Sequence, residues 1–78
     1  MKPGDQYLKF VRWEDEDAAY VGYCPDLFPF GGVCHGQTEE STFSQLCELV
    51  RDEVKDLLNG GKELPPSTTR PMRDAIPA

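Results

Sequence analysis

The chain has 78 residues, with 14 Asp and Glu against eight Lys and Arg, which gives a formal net charge of −6. A chain this short forms one domain with a small hydrophobic core, which excludes a large enclosed ligand cavity. The acidic balance disfavours nucleic-acid phosphates as a direct ligand of this chain alone and favours a basic partner.

The first third of the chain predicts two strands joined by an acidic turn. Residues 6–13 carry apolar side chains at both alternating sets of positions, which is typical of a strand covered on two faces and favours a dimer or a further layer. The carboxylates of residues 14–17 predict a turn, and residues 18–23 predict a second strand, so we expect an antiparallel hairpin. Gly22 indicates a bulge or a close approach by a neighbouring ring.

An aromatic loop follows the second strand. Pro25 ends that strand because it cannot donate a hydrogen bond to the ladder, and residues 26–32 predict an irregular connection. We expect Phe28 and Phe30 to close the end of the core; the alternative is an exposed aromatic loop that docks a partner. Residues 33–36 predict a short third strand.

A long amphipathic helix is the clearest predicted element. Thr38 is a suitable N-cap, and Glu39 and Glu40 then occupy the first turn, where the helix dipole favours anions. The sequence at 59–61, Asn-Gly-Gly, predicts a left-handed helix end. Leu49 falls outside the apolar arc, which indicates a contact beyond the sheet. Apolar residues at three- and four-residue steps predict the buried face: Phe43, Leu46, Cys47, Val50, Val54, Leu57 and Leu58.

These elements predict an α+β fold, in which one long helix packs on one face of a three-stranded antiparallel sheet. Residues 1–66 form this βββα domain. Residues 67–78 form a tail that either adds a short edge strand around 68–72, giving the order βββαβ, or lacks order. Because one sheet face then needs cover, we expect a homodimer or a larger oligomer.

The chain carries three cysteines without a closely spaced pair. No signal peptide precedes the first strand, and no apolar run reaches the roughly 18 residues that a membrane span requires. We therefore expect reduced thiols, a cytoplasmic location and no membrane contact.

A metal or nucleophile site is a poor fit to this sequence. Cys24, Cys34, His35 and Cys47 offer zinc ligands, but their spacings are loose and Cys47 lies on the apolar helix face. Cys34 and His35 are adjacent on a strand, so they point to opposite faces and cannot pair as nucleophile and base. The acidic residues 14–17 with Asp26 could hold magnesium only if they converged, and a turn does not bring them together. We expect no metal, no cofactor and no catalytic residue.

Four phrases in order make residues 7–66 resemble HicB-like antitoxins. They are Trp-Glu-Asp-Glu-Asp at 13–17, Tyr-Val-Gly-Tyr-Cys-Pro-Asp-Leu at 20–27, Gly-Gln-Thr-Glu-Glu at 36–40, and Leu-Leu-Asn-Gly-Gly-Lys-Glu-Leu-Pro-Pro at 57–66. The resemblance implies a partial RNase-H-like fold that has lost nuclease activity. It also implies binding of a HicA-type toxin, a small basic mRNA interferase with a double-stranded-RNA-binding fold and an active-site histidine.

This resemblance implies that the antitoxin neutralises the toxin by covering its active and RNA-binding surface. Many members continue into a C-terminal DNA-binding domain, and 78 residues leave no room for one, so we expect no direct operator binding by this chain. Two alternatives stay open: a stand-alone HicB-like regulatory dimer without a toxin, and a metal-dependent RNase-H-like hydrolase. We predict that acidic residues of the turn and helix contact the partner: Glu14, Asp15, Asp17, Asp52 and Asp56.

Overall fold

The computed structural model describes residues 3–68. It contains a three-stranded antiparallel sheet in the order β1-β2-β3 and one long helix, which confirms the predicted α+β class and the βββα arrangement. A single 3-10 turn precedes the sheet. The elements are the 3-10 turn Pro3–Gln6, β1 Phe10–Glu14, β2 Ala19–Tyr23, β3 Cys34–Gly36 and α1 Glu39–Asn59.

The first strand begins at Phe10, four residues later than the sequence predicted. Tyr7 explains the difference, because its side chain is only 3% exposed and lies in the core rather than along a sheet edge. Its hydroxyl donates a hydrogen bond to the carbonyl of Pro65, and its backbone N–H donates to Gly4. Burial of one aromatic ring therefore directs this segment against α1, where Gly4 lies beside Val50 and Val54, instead of into the sheet.

The two faces of the sheet differ in what covers them. A Cβ atom at Gly22 would lie 3.3 Å from Leu46 of α1 and 3.0 Å from the sulfur of Cys34, so Gly22 points toward the helix. The predicted close approach is thus confirmed, although a leucine and a thiol make it rather than a ring, and the continuous register excludes a bulge here. Strand alternation then places Val11 and Trp13 on the helix face and Val21 on the outer face.

Part of the outer face is covered by the chain itself. A Cβ at Gly32 would lie 2.7 Å from Val21, so the loop between β2 and β3 packs on this face. Phe28 packs against the core as predicted, whereas Phe30 is 98% exposed, which corrects its predicted place at the core end. The backbone N–H groups of Leu27 and Phe28 both donate to the carbonyl of Cys24, which turns the chain sharply after β2.

The helix has the predicted ends. The backbone N–H of Ser41 donates to the Thr38 hydroxyl at 3.1 Å, which satisfies one otherwise unpaired N–H of the first turn. At the other end, Gly61 has the left-handed φ of 71°, and Lys62 N–H donates to the carbonyl of Leu57. This is the Schellman arrangement, in which the left-handed residue follows the helix by two positions.

The buried stripe of α1 is narrower than predicted and runs obliquely. Its centre follows a strict four-residue step, which drifts by about 40° around the helix at each step. Because of this drift, Phe43 is left 41% exposed, against the prediction, and Leu49 packs against the core rather than beyond the sheet. Leu58, in the last turn of the helix, continues the four-residue step from Val54 but is 51% exposed, also against the prediction. The buried residues of the stripe are Thr42, Leu46, Val50 and Val54.

After α1 the chain returns to its own beginning. The hydroxyl of Ser67 donates to the carbonyl of Gln6, and Thr68 donates its N–H and its hydroxyl to the Asp26 carboxylate at 3.0 and 2.8 Å. The predicted edge strand at 68–72 lies, apart from Thr68, outside the described residues. Within residues 3–68, no helix has the length and apolar character required to cross a membrane.

Candidate partner-binding surface

Carboxylates are concentrated at one end of the sheet. The turn between β1 and β2 lies at this end, and β3 also finishes there because Gly36 pairs with Tyr20 at the beginning of β2. The helix begins three residues after Gly36, so its first turn lies at the same end of the sheet as the acidic turn. We call this region the acidic end, and its members are Glu14, Asp15, Glu16, Asp17, Glu39 and Glu40.

Glu14 is already engaged within the chain. Its carboxylate accepts a hydrogen bond of 2.6 Å from the Tyr23 hydroxyl and lies 3.2 Å from Nε of Arg12. The hydrogen bond to Glu14 raises the pKa of Tyr23, because the neutral phenol is the donor and a second negative charge beside Glu14 is unfavourable. Of the predicted contacts, Glu14 therefore has the strongest structural role of its own.

Asp15 fixes the position of the single tryptophan. The indole N–H of Trp13 donates to the Asp15 carboxylate at 2.6 Å, and the ring meets Tyr20 edge-on at a centroid distance of 5.2 Å. Trp13 nevertheless stays 48% exposed. The turn closes with Ala18 at a φ of 51°, a left-handed conformation that favours glycine or asparagine. The turn thus presents a rigid aromatic edge beside its carboxylates.

An apolar groove lies next to the acidic end, between β1 and the first two turns of α1. Its volume is about 500 Å³, and its apolar lining comes from Val11 and the exposed ring of Phe43, with Ser44 beside them. Glu39 and Glu40 form its charged side. We call this the β1–α1 groove. It places apolar contact area beside negative charge. This combination complements a partner surface that carries both cationic and apolar side chains.

The five predicted contact residues do not form one surface. Asp52 and Asp56 are exposed on α1, but Asp52 is rotated by about 180° from Phe43 around the helix axis. It also lies roughly 20 Å from Glu39 along that axis. Glu14, Asp15 and Asp17 lie at the acidic end, whereas Asp52 and Asp56 face solvent on the opposite side of the helix.

Sequence reasoning missed the contribution of Glu39, Glu40 and Phe43 to this surface. A signal was present, since three consecutive antiparallel strands return the chain to the end where the first turn lies. A helix that begins directly after the third strand must therefore begin near that turn. The exposure of Phe43 had no comparable signal, because the oblique course of the buried stripe depends on how the helix crosses the sheet.

Cys34 and His35 lie on opposite faces of the sheet. Cys24 and Cys34 are buried in the core, and desolvation by burial raises the pKa of both thiols. The sulfur of Cys34 lies 3.6 Å from the carbonyl of Thr42, to which it donates, whereas His35 is exposed on the outer face. Across residues 3–68, no group of three His, Cys, Asp or Glu side chains is placed to hold a metal ion. His35, Asp17 and Val21 line a shallow outer cavity of about 300 Å³.

Comparisons with protein-family models, with curated proteins and with solved structures each found no match.

Proposed function

We propose that this protein is an antitoxin-type interaction protein of the HicB-like kind. It neutralises a HicA-like mRNA interferase by covering the toxin's active and RNA-binding surface. The toxin is bound as a protein ligand, and the antitoxin contributes no chemistry of its own.

The observation that carries the proposal is the acidic end beside the β1–α1 groove. Six carboxylates occupy one end of a small sheet, and Glu16, Asp17, Glu39 and Glu40 among them are exposed. An RNA-binding surface is basic because it must attract phosphates, so a protein that presents clustered carboxylates competes for that surface. Charge complementarity of this kind also accelerates encounter between the two proteins.

The hydrolase alternative receives less support. A metal-dependent RNase-H-like reaction requires carboxylates that converge on a shared cation. Among the described residues, Glu14 and Asp15 are instead bonded to Tyr23 and Trp13, and no three-residue metal group is formed. The stand-alone regulatory dimer differs from the first proposal only in its partner, so the genomic neighbourhood separates the two.

The proposal is tested by co-expression. The reading frame beside the gene is cloned, with and without this chain, under separate inducible promoters in a host lacking both. We expect the neighbour alone to stop growth and to deplete mRNA, and co-induction of this chain to restore both. A neighbour without a small basic RNA-binding-type product would favour the stand-alone alternative. A toxic neighbour whose effect persists under full co-expression would overturn the antitoxin proposal.

A further inference from the structure

The β1–α1 groove is open because α1 does not cover β1 fully. Phe43 lies about 100° around the helix from Thr42, whose side chain faces Gly36 of β3. The ring therefore lies toward β1, where it lines the groove together with Val11. Within residues 3–68, β1 pairs with β2 alone, so the strand edge beside the groove carries no further strand there.

The charges around the groove discriminate between possible occupants. Glu39 and Glu40 are about 40° and 60° from Phe43 around the helix, one on each side of the ring. A second copy seated in this groove would bring its own acidic chain, at a net charge of −6, against these carboxylates. Nucleic acid meets the same repulsion. A cationic protein gains from both carboxylates and from the apolar floor.

Building on the proposed function, we infer that the β1–α1 groove is the docking site for the toxin. An apolar side chain of the toxin inserts between Val11 and Phe43, and lysine or arginine side chains flanking it bind Glu39 and Glu40. Trp13, on the same face of β1 two residues from Val11, borders the occupied groove. The Asp52 and Asp56 face of α1 stays in solvent.

Charge reversal at two places tests this assignment. The variants Glu39→Lys/Glu40→Lys and Asp52→Lys/Asp56→Lys change the net charge by the same amount, so any effect of overall charge is matched. In 150 mM salt, where exposed charges are screened beyond about 8 Å, we expect toxin affinity to fall about tenfold or more for the first variant. The second should stay within about threefold. Equal losses, or a larger loss for the second variant, would overturn the groove assignment.

A matched pair of variants tests the apolar part of the groove. Phe43→Ser removes the groove ring, and Phe30→Ser removes an even more exposed ring from the β2–β3 loop. Neither ring belongs to the core, so both variants should keep the wild-type thermal midpoint within a few degrees. We expect Phe43→Ser to weaken toxin binding about tenfold and Phe30→Ser to leave it unchanged. The reverse order would assign docking to the loop.

A probe that does not depend on the toxin distinguishes failure of the groove assignment from failure of the antitoxin proposal. We would titrate the chain with a peptide of alternating leucine and lysine, and with its leucine–glutamate counterpart, while following the fluorescence of Trp13. Saturable change with the cationic peptide alone, reduced by Phe43→Ser, supports the groove even if no toxin is neutralised. Toxin neutralisation that Phe43→Ser and the Glu39/Glu40 reversal leave intact overturns the groove but not the antitoxin function.

The same series of variants tests two other possible occupants of the groove. If wild-type protein sediments as a dimer and Phe43→Ser as a monomer, a second copy occupies the groove and the inference is wrong. If Arg70→Glu/Arg73→Glu strengthens binding of the cationic peptide, the chain's own basic C-terminal segment competes for the groove and is its resident occupant. No change in either measurement supports the toxin as occupant.

Discussion

The close packing of α1 on β3 makes a quantitative test of the fold possible. A Cβ atom added at Gly36 would lie 2.6 Å from Oγ1 of Thr42, about 0.8 Å shorter than the 3.4 Å at which ordinary contact begins. Thr42 is fully buried, and its hydroxyl donates to the carbonyl of Thr38 at 2.7 Å. In Gly36→Ala, Thr42 must therefore rotate and lose this bond, or the helix must move away from the strand.

The expected cost of Gly36→Ala follows from two contributions. Overpacking a buried contact costs about 1–3 kcal/mol, and replacing glycine by alanine offsets about 0.4–1 kcal/mol through the unfolded chain. Gly36→Ala should thus lower the free energy of unfolding by about 1.5 kcal/mol, and the midpoint by about 6–12 °C for a domain of this size. Thr42→Ala should cost about 1.5 kcal/mol by itself, since it loses a hydrogen bond and some packing.

The double variant decides whether this contact is the cause. Without Oγ1 the added methyl group has space, so Gly36→Ala/Thr42→Ala should cost about 2 kcal/mol instead of the sum of about 3. Gly60→Ala is the matched control, because Gly60 has a φ of −83° and its nearest contact is at 3.4 Å; it should not destabilise. Urea unfolding followed by circular dichroism measures all four. Strict additivity of the two substitutions would refute the packing described here.

Three further outcomes are expected. Ala18→Gly should raise the free energy of unfolding by about 0.5 kcal/mol, because it relieves a left-handed alanine at a small cost in chain entropy; a loss on urea unfolding would contradict the turn geometry. With an aromatic disulfide reagent at pH 8, the half-buried Cys47 should react first and the two buried thiols only as fast as the protein opens, and Cys47→Ser should remove the fast phase; three equal rates would contradict the burial pattern. The pKa of Tyr23 is raised in the folded state by its hydrogen bond to Glu14, so the stability this bond contributes is complete below about pH 10 and is lost as pH rises through the folded pKa. Tyr23→Phe should therefore show a shallower alkaline loss of stability than wild type, and identical alkaline curves would count against the bond.

Local signals were sufficient to predict most of the architecture. The Thr38 cap, the Gly61 end and the acidic turn between β1 and β2 each depend on a few neighbouring residues, and each is present in the structure. The mid-strand position of Gly22 likewise predicted a close approach by neighbouring side chains. These features were predictable because backbone geometry and capping chemistry are determined within a short stretch of chain.

The predictions that were wrong concern features that depend on contacts between distant segments of the chain. Tyr7 continued an alternating strand pattern, yet it is buried beneath the returning segment at Pro65, which is 58 residues away in the chain. Phe43 belonged to the apolar arc of an ideal helix, yet the crossing of α1 over the sheet leaves it exposed at the groove. The candidate surface was predictable in its acidic turn, but not in the apolar groove beside that turn.

The proposed block of a toxin's cationic RNA-binding surface by this protein can be measured with purified components. The neighbouring HicA-like protein would be incubated with mRNA and increasing amounts of the full chain, and intact RNA would be measured. We expect cleavage to stop near one equivalent of this chain and to continue with the Glu39→Lys/Glu40→Lys variant, most clearly at low salt, where the reversed charges repel the toxin most strongly. Cleavage at the full rate in the presence of excess wild-type chain would contradict the claim.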